Sequence, residues 1–218
     1  MGDRDRKTAL FDQFARVGKA LASGKRLELL DLLAQGERDV ASLAAAADLG
    51  VTTASAHLQT LRQANLVTTR RDGTRILYRL AGPDVAQLYA RLRDVAQSHL
   101  PDVEAARVAY LGADGGEPVT REQLQKLARR RLVTVLDVRP TEEYEGGHIP
   151  GAVSIPLDEL ANRLAELPDD GQVVAYCRGA YCVLAHDAVA LLRRRGRRAQ
   201  RLADGMLEWR LAGLPVAN

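Results

Sequence analysis

Cys177 and Cys182 are the only two cysteines of this 218-residue chain, and they stand five positions apart in the stretch AYCRGAYCVLAHDA. Thiols at that spacing allow three chemistries: a redox pair, half of a soft-metal site, or one nucleophile beside a bystander. Cys177 ends the apolar run QVVAYC and precedes the helical pattern VLAHDAVALLRRRG. Loop amides from Arg178, Gly179, Ala180, Tyr181 and Cys182 can curl toward it as an anion-binding nest. The positive end of the following helix and the charge of Arg178 act in the same direction, so the Cys177 thiol is expected below its free value. Gly179 lets such a loop turn tightly. A buried, inert cysteine after a strand is the plain alternative.

The elements that must position this loop read as α/β. RRLVTVLDVR is a buried strand ending at Asp137 and Arg139, and AQRLAD is a further short strand before GMLEWRLAGLPV. Strands alternating with helices predict a mostly parallel central sheet, whose ligands bind at the carboxyl ends of the strands. Cys177 has that address.

The preceding half is mainly α. LFDQFARVGKAL and GKRLELLDLLAQG repeat apolar residues at helical spacing, and DVASLAAAADLG is a short helix closed by a turn at 48–50. In VTTASAHLQTLRQANLV, Val51, Ala54, Leu58 and Leu61 share one face. Thr52, Thr53, Ser55, Ala56, His57 and Gln59 are the remaining candidates for contact outside the fold, small or hydrogen-bonding groups suited to a DNA major groove. LVTTRRDGTRILYRL is a hairpin turning at Asp72-Gly73, with Arg70, Arg71, Arg75 and Arg79 available to phosphate and Arg71 and Arg75 nearest its tip.

Charge supports this division of labour. Fifteen Lys and Arg face eleven Asp and Glu over residues 1–100, while sixteen face seventeen beyond. A solvated basic surface is the bland reading of that excess, and nucleic acid the functional one. LGADGGEPVT reads as a linker, giving domains 1–110 and 120–218 around a linker over 111–119. No run nears ~18 apolar residues, so no membrane span is expected. The charged start MGDRDRKTAL argues against export and for the cytoplasm, where thiols stay reduced.

On LGVTTASAHLQTLRQANLV followed by RRDGTRILYRL, roughly residues 8–100 resemble the ArsR-type winged helix-turn-helix repressors. The resemblance implies a homodimer on a pseudo-palindromic operator, with the first helix and DVAQLYARLRDVAQSHL at the dimer interface. Metal-sensing members carry paired thiols where this chain has ERDVASL, with Asp39 and Ala41, and the long helix offers only His99. Neither a metal nor any other cofactor is therefore expected.

Residues 118–218 resemble a rhodanese (sulfurtransferase) domain, on LDVRPTEEYEGGHIPGAVSIP, the loop Cys177–Cys182, and DGMLEWRLAGLPV with Trp209. That resemblance implies a persulfide on Cys177, with Arg178, Asp137 and Arg139 in the catalytic set. Asp137, Arg139, Glu143 and His148 match its framework and are read as bracing the loop. Cys182 either acts as a resolving thiol, giving a disulfide or polysulfide bridge, or packs at the helix start. Val183 stands where phosphatase and arsenate reductase relatives need an anion-clamping arginine, and Tyr181 where thiosulfate users often carry one, so any thiosulfate turnover is expected to be weak.

The two resemblances together imply a transcriptional repressor that senses or handles sulfane sulfur, with polysulfide or thiosulfate as donor. Two further readings stay open: a cytosolic sulfurtransferase with an accessory DNA-binding domain, and an arsenic- or metal-responsive repressor using both thiols. Zinc, cadmium or arsenite in modest excess should leave DNA affinity, followed by fluorescence anisotropy, nearly unchanged. Stoichiometric release by arsenite that Cys177→Ser abolishes would reverse this ranking.

Overall fold

The computed structural model describes residues 2–112, 116–168 and 171–218, so the centre of the expected linker, 113–115, lies outside the described residues. Packing divides the chain into two compact units, Met1–Tyr89 and Ala90–Asn218. The first contains α1 (Asp3–Leu21), α2 (Gly24–Leu33), β1 (Arg38–Asp39), α3 (Val40–Ala46), α4 (Val51–Gln63), β2 (Val67–Asp72) and β3 (Arg75–Leu80), and it takes in the start of α5 (Pro83–His99). The division therefore falls inside α5, upstream of the 111–119 stretch.

Local chemistry sets these boundaries. Asp39 caps α3 by accepting a 2.8 Å hydrogen bond from the Ser42 amide, which satisfies a donor that the helix leaves open. Asp48, at φ +49°, reverses the chain before α4. In the hairpin Asp72 faces Arg75, and Gly73 takes φ +58°. Glycine enters that left-handed region without a Cβ clash. The antiparallel sheet runs β1-β3-β2.

Leu29, Leu30, Leu43, Leu58 and Leu61 are fully buried at the centre of this unit. The inner face expected for α4 holds at Ala54, Leu58 and Leu61, whereas Val51 is 52% exposed. Val51 opens the helix, so its side chain lies at the end of the packed stripe. Leu10, Phe11 and Phe14 on α1 are each more than half exposed, an uncovered apolar face in the single chain.

The second unit contains the rest of α5, α6 (Pro101–Leu111), α7 (Arg121–Arg129), β4 (Val133–Asp137), α8 (Thr141–Glu145), β5 (Val153–Ser154) and α9 (Leu157–Leu160). A 3-10 turn (Leu164–Glu166), β6 (Gln172–Tyr176), α10 (Val183–Arg194), β7 (Arg198–Arg201) and α11 (Met206–Leu211) complete it. The sheet is parallel throughout, in the order β5-β4-β6-β7. Side chains alternate across it. Val173 and Ala175 join Leu136, Ile155, Ala188 and Leu192 on one face, while Val174 and Tyr176 join Leu124, Met206 and Trp209 on the other. Cys177 continues the alternation onto the α10 side.

Val51 and Leu58 lie on the same expected stripe but differ in burial, which gives a direct check of the packing. Leu58→Ala should cost about 2–5 kcal/mol in urea unfolding of the full chain, and Val51→Ala about 0.5 kcal/mol or less.

Candidate functional site

In the first unit the residues expected to touch DNA separate by exposure. Thr52, Thr53 and Ala56 on α4 are exposed, while Ser55, His57 and Gln59 are half-buried. The Gln59 amide donates a long 3.5 Å hydrogen bond to the Tyr78 hydroxyl on β3, tying α4 to the hairpin. Arg71 and Arg75 flank the turn and are exposed, and the Arg71 Nε donates to the Gly73 carbonyl at 3.0 Å.

Arg70 and Arg79 are held differently. Glu37 accepts from the Arg70 Nε at 3.0 Å and its Nη2 at 2.8 Å, and lies 3.6 Å from the Arg79 Nη1. Glu37 precedes β1 and was not legible as a partner, because the pairing joins positions 33 apart in sequence.

In the second unit Cys177 follows β6 and is 2% exposed, whereas Cys182 is half-buried as the N-cap of α10. The Cys177 Sγ lies 3.3 Å from the Cys182 carbonyl oxygen and 3.9 Å from that of Gly179. Burial, the largest influence, pushes the Cys177 thiol well up, and its interaction with Cys182 adds to the rise. Backbone amides at Ala185 and Gly179 pull it down, but less strongly. The lowering expected at Cys177 is thus reversed, because the site is closed to water and loop carbonyls of Gly179 and Cys182 face the sulfur. Cys182 moves the other way: the hydrogen bond from Cys177 lowers it, aided by backbone groups at Arg178 and Leu184 and by the Arg178 charge. The two thiols are thus shifted in opposite directions, Cys177 up and Cys182 down.

Of the four expected framework residues, Glu143 holds the loop directly, Asp137 and Arg139 pack beneath the preceding Tyr176, and His148 contacts Tyr144. Arg139 and Asp137 are both fully buried and form a fork, with Arg139 Nη2 at 2.6 Å and Nε at 3.0 Å from the carboxylate. Arg139 also donates to the Gly147 carbonyl at 2.9 Å, and its guanidinium lies over the Tyr176 ring at 5.6 Å. Burial, the largest influence, lowers Arg139; the bond to Asp137 together with the nearby negative charges more than offsets this and raises it. Glu143, on α8, takes Arg178 in a second fork, from Nε at 2.9 Å and Nη2 at 2.6 Å. His148 stacks on Tyr144 at 3.7 Å between centroids, and its Nδ1 lies 3.0 Å from the Tyr144 carbonyl.

The sequence offered no sign of the other wall. Met206 and Leu207, opening α11, donate their amides to the Cys177 and Arg178 carbonyls, each at 2.9 Å. Gly205 is pressed on the loop so closely that a Cβ there would lie 2.5 Å from the Gly179 Cα. Beside Arg178 a groove of about 450 Å³ is lined by Val138, Thr141, Glu142, Asp158, Arg178 and Leu184. Among the described residues no group of three or more His, Cys, Asp or Glu is arranged to hold a metal ion, and no helix is long and apolar enough to cross a membrane.

Comparison with known proteins assigns each unit a relative. Residues 23–69 match the family described as bacterial regulatory protein, arsR family, and residues 120–212 match the rhodanese-like domain. The chain is 58% identical over 215 residues to the HTH-type transcriptional regulator Rv0324 of Mycobacterium tuberculosis, a match covering 99% of this chain and 95% of that protein. A protein of Allochromatium vinosum named sulfurtransferase is 34% identical over 93 residues, covering 42% of this chain and 85% of its own. The homodimeric winged helix-turn-helix DNA-binding domain of a Mycobacterium bovis protein is 58% identical with a TM-score of 0.43, covering 47% of this chain and 94% of that domain. The chain belongs to the ArsR-family transcriptional regulators and joins their helix-turn-helix domain to a C-terminal rhodanese domain.

Proposed function

We propose that the chain is a repressor that binds a pseudo-palindromic operator as a homodimer and changes its hold on DNA when sulfane sulfur loads onto Cys177. The observation that carries this reading is the thiol pair itself, a buried Cys177 after β6 and a half-buried Cys182 capping α10, within a transcriptional regulator. The exposed apolar face of α1 supports a dimer, because Leu10, Phe11 and Phe14 gain from a partner surface. The exposed Thr52, Thr53 and Ala56 support base contact, and Arg71 and Arg75 support phosphate contact. Such a regulator acts in the cytoplasm, where its operator lies.

The loading step follows from the shared proton. Cys182 takes the proton of Cys177 as the Cys177 Sγ attacks a terminal sulfur of a polysulfide. The donor S–S bond breaks, and the shortened polysulfide leaves with the electron pair. Cys177 then carries a persulfide. Cys182, once deprotonated, can attack the inner sulfur, expelling hydrosulfide and closing a Cys177–Cys182 disulfide. Asp137 and Arg139 act as positioning residues throughout, since both are sealed from solvent.

The sulfurtransferase reading draws support from the name of the Allochromatium vinosum relative. The 2% exposure of Cys177 favours slow, stoichiometric loading over rapid turnover.

On the DNA side, Arg71→Ala and Arg75→Ala should each weaken binding to all sequences and reduce the salt slope by about 1. Thr53→Ala should instead alter sequence preference, read by competition between duplexes. A chain that stays monomeric and ignores the DNA upstream of its own gene would sink the repressor reading.

On the sulfur side, polysulfide treatment should add about 32 Da at Cys177, a reversible cap on a reactive thiol. Cys177→Ser should lose the adduct yet still bind DNA. Cys182→Ser should take the first sulfur more slowly, lacking its proton acceptor, and form no internal bridge. Peptide mapping that finds the sulfur on Cys182 with Cys177 untouched would reverse the assignment.

A further inference from the structure

The loop is covered from outside by the second half of α5, which belongs to the same compact unit as the loop. The Arg93 Nη2 meets the Glu208 Oε1 at 2.5 Å, and both side chains are largely buried, at 13% and 15% exposure. Glu208 is itself fixed, because its Oε2 accepts from the Gly205 amide at 3.0 Å. The Arg93 guanidinium also lies 5.2 Å from the centre of the Tyr181 ring. One turn further along α5, Gln97 accepts a hydrogen bond from the Tyr181 hydroxyl. Two consecutive turns of one helix thus hold two residues of the Cys177–Cys182 loop or its immediate wall.

The same contacts leave little slack. A Cβ on Gly179 would lie 3.2 Å from the Glu208 Oε2 and 3.5 Å from the Arg93 Nη1. Gly205 presses on the Gly179 backbone from the side of α11. The Gly179 carbonyl is also one of the two oxygens flanking the Cys177 Sγ. An additional sulfur on Cys177 has to fit within a close-packed interior of low compressibility. The Gly179 peptide or the Cys182 peptide must move, and either movement reaches Arg93 or Tyr181.

We propose that Arg93 and Gln97 on α5 read the sulfur state of Cys177, through Glu208, Gly179 and Tyr181. The inference rests on the sulfur-loading reading above and names the regulatory route from that site. Its output is the stability of the second half of α5. Because α5 begins among Val85 and Tyr89, which are buried, it is a covalent path toward the DNA-reading unit. The partner recognised is the loop of the same chain, in two chemical forms with different shape and charge.

The test is amide hydrogen exchange over residues 90–99 in the full chain, reduced with dithiothreitol or loaded with sodium tetrasulfide, with sulfur on Cys177 verified by mass. In the unsubstituted chain, loading should speed exchange there about fivefold or more, the low end of ordinary coupling. Tyr181→Phe removes the hydroxyl that holds Gln97, and Arg93→Gln removes the cation facing Glu208. In both variants exchange should already be faster when reduced, and loading should add less than about a twofold change. Variants that respond to sulfur as the unsubstituted chain does would overturn the inference. So would sulfur on Cys177 with no change at 90–99, an outcome that leaves sulfur loading intact. Failure to gain mass at Cys177 would remove the loading reading, and the inference with it.

Discussion

The fork between Arg139 and Asp137 is the constraint on which the rhodanese unit depends. Both groups are fully buried, and removing either partner would leave an uncompensated charge in the interior, at a cost of about 3–5 kcal/mol. The pair does more than satisfy itself. It joins the end of β4 to the Gly147 carbonyl and underlies the Tyr176 ring, and Tyr176 immediately precedes Cys177. The Tyr176 hydroxyl accepts the Ile149 amide at 3.1 Å, so the same ring also anchors the return from α8. Cys177 thus stands on a strand end fixed from two sides. The loop beyond it can be reactive because its base is not free to shift.

Reactivity and burial pull against each other at the two thiols. Closing Cys177 to water raises its affinity for the proton, and loop amides that would stabilise a thiolate cannot outweigh this. Splitting the tasks between two cysteines resolves the conflict. Cys182, half-buried beside Arg178, is the thiol whose proton is held less tightly, while Cys177 holds the protected position. Arg178 can assist because Glu143 fixes its guanidinium in a two-pronged grip.

Much of this was legible in the residue pattern. The hairpin announced itself at Asp72-Gly73, the parallel sheet in its short apolar runs, and the address of Cys177 in a strand followed by a helix. What escaped was of two physical kinds. The first is pairing over long sequence separation: Glu37 with Arg70, and Arg93 with Glu208, are 33 and 115 positions apart, and helical or strand periodicity reports nothing at that range. The second is the balance between burial and local polarity. The pattern around Cys177 displays its amides, but how far the assembled layers exclude water is a property of the whole unit. Val51 belongs to the same lesson in miniature, since periodicity assigns a face but not whether a neighbour reaches the end of the helix.

The Glu37 clasp has a kinetic consequence. By engaging Arg70 and Arg79, it leaves the hairpin fewer uncommitted cations than its sequence displays. Each phosphate contact releases counterions and strengthens adhesion to any duplex, right or wrong. A chromosome offers on the order of 10⁶–10⁹ competing sites, so every excess cation lengthens the time spent on irrelevant DNA. A carboxylate within the wing shortens those visits. On the reading proposed above, escape from random sequence then limits the search for an operator less, and more of the discrimination falls to the uncharged face of α4.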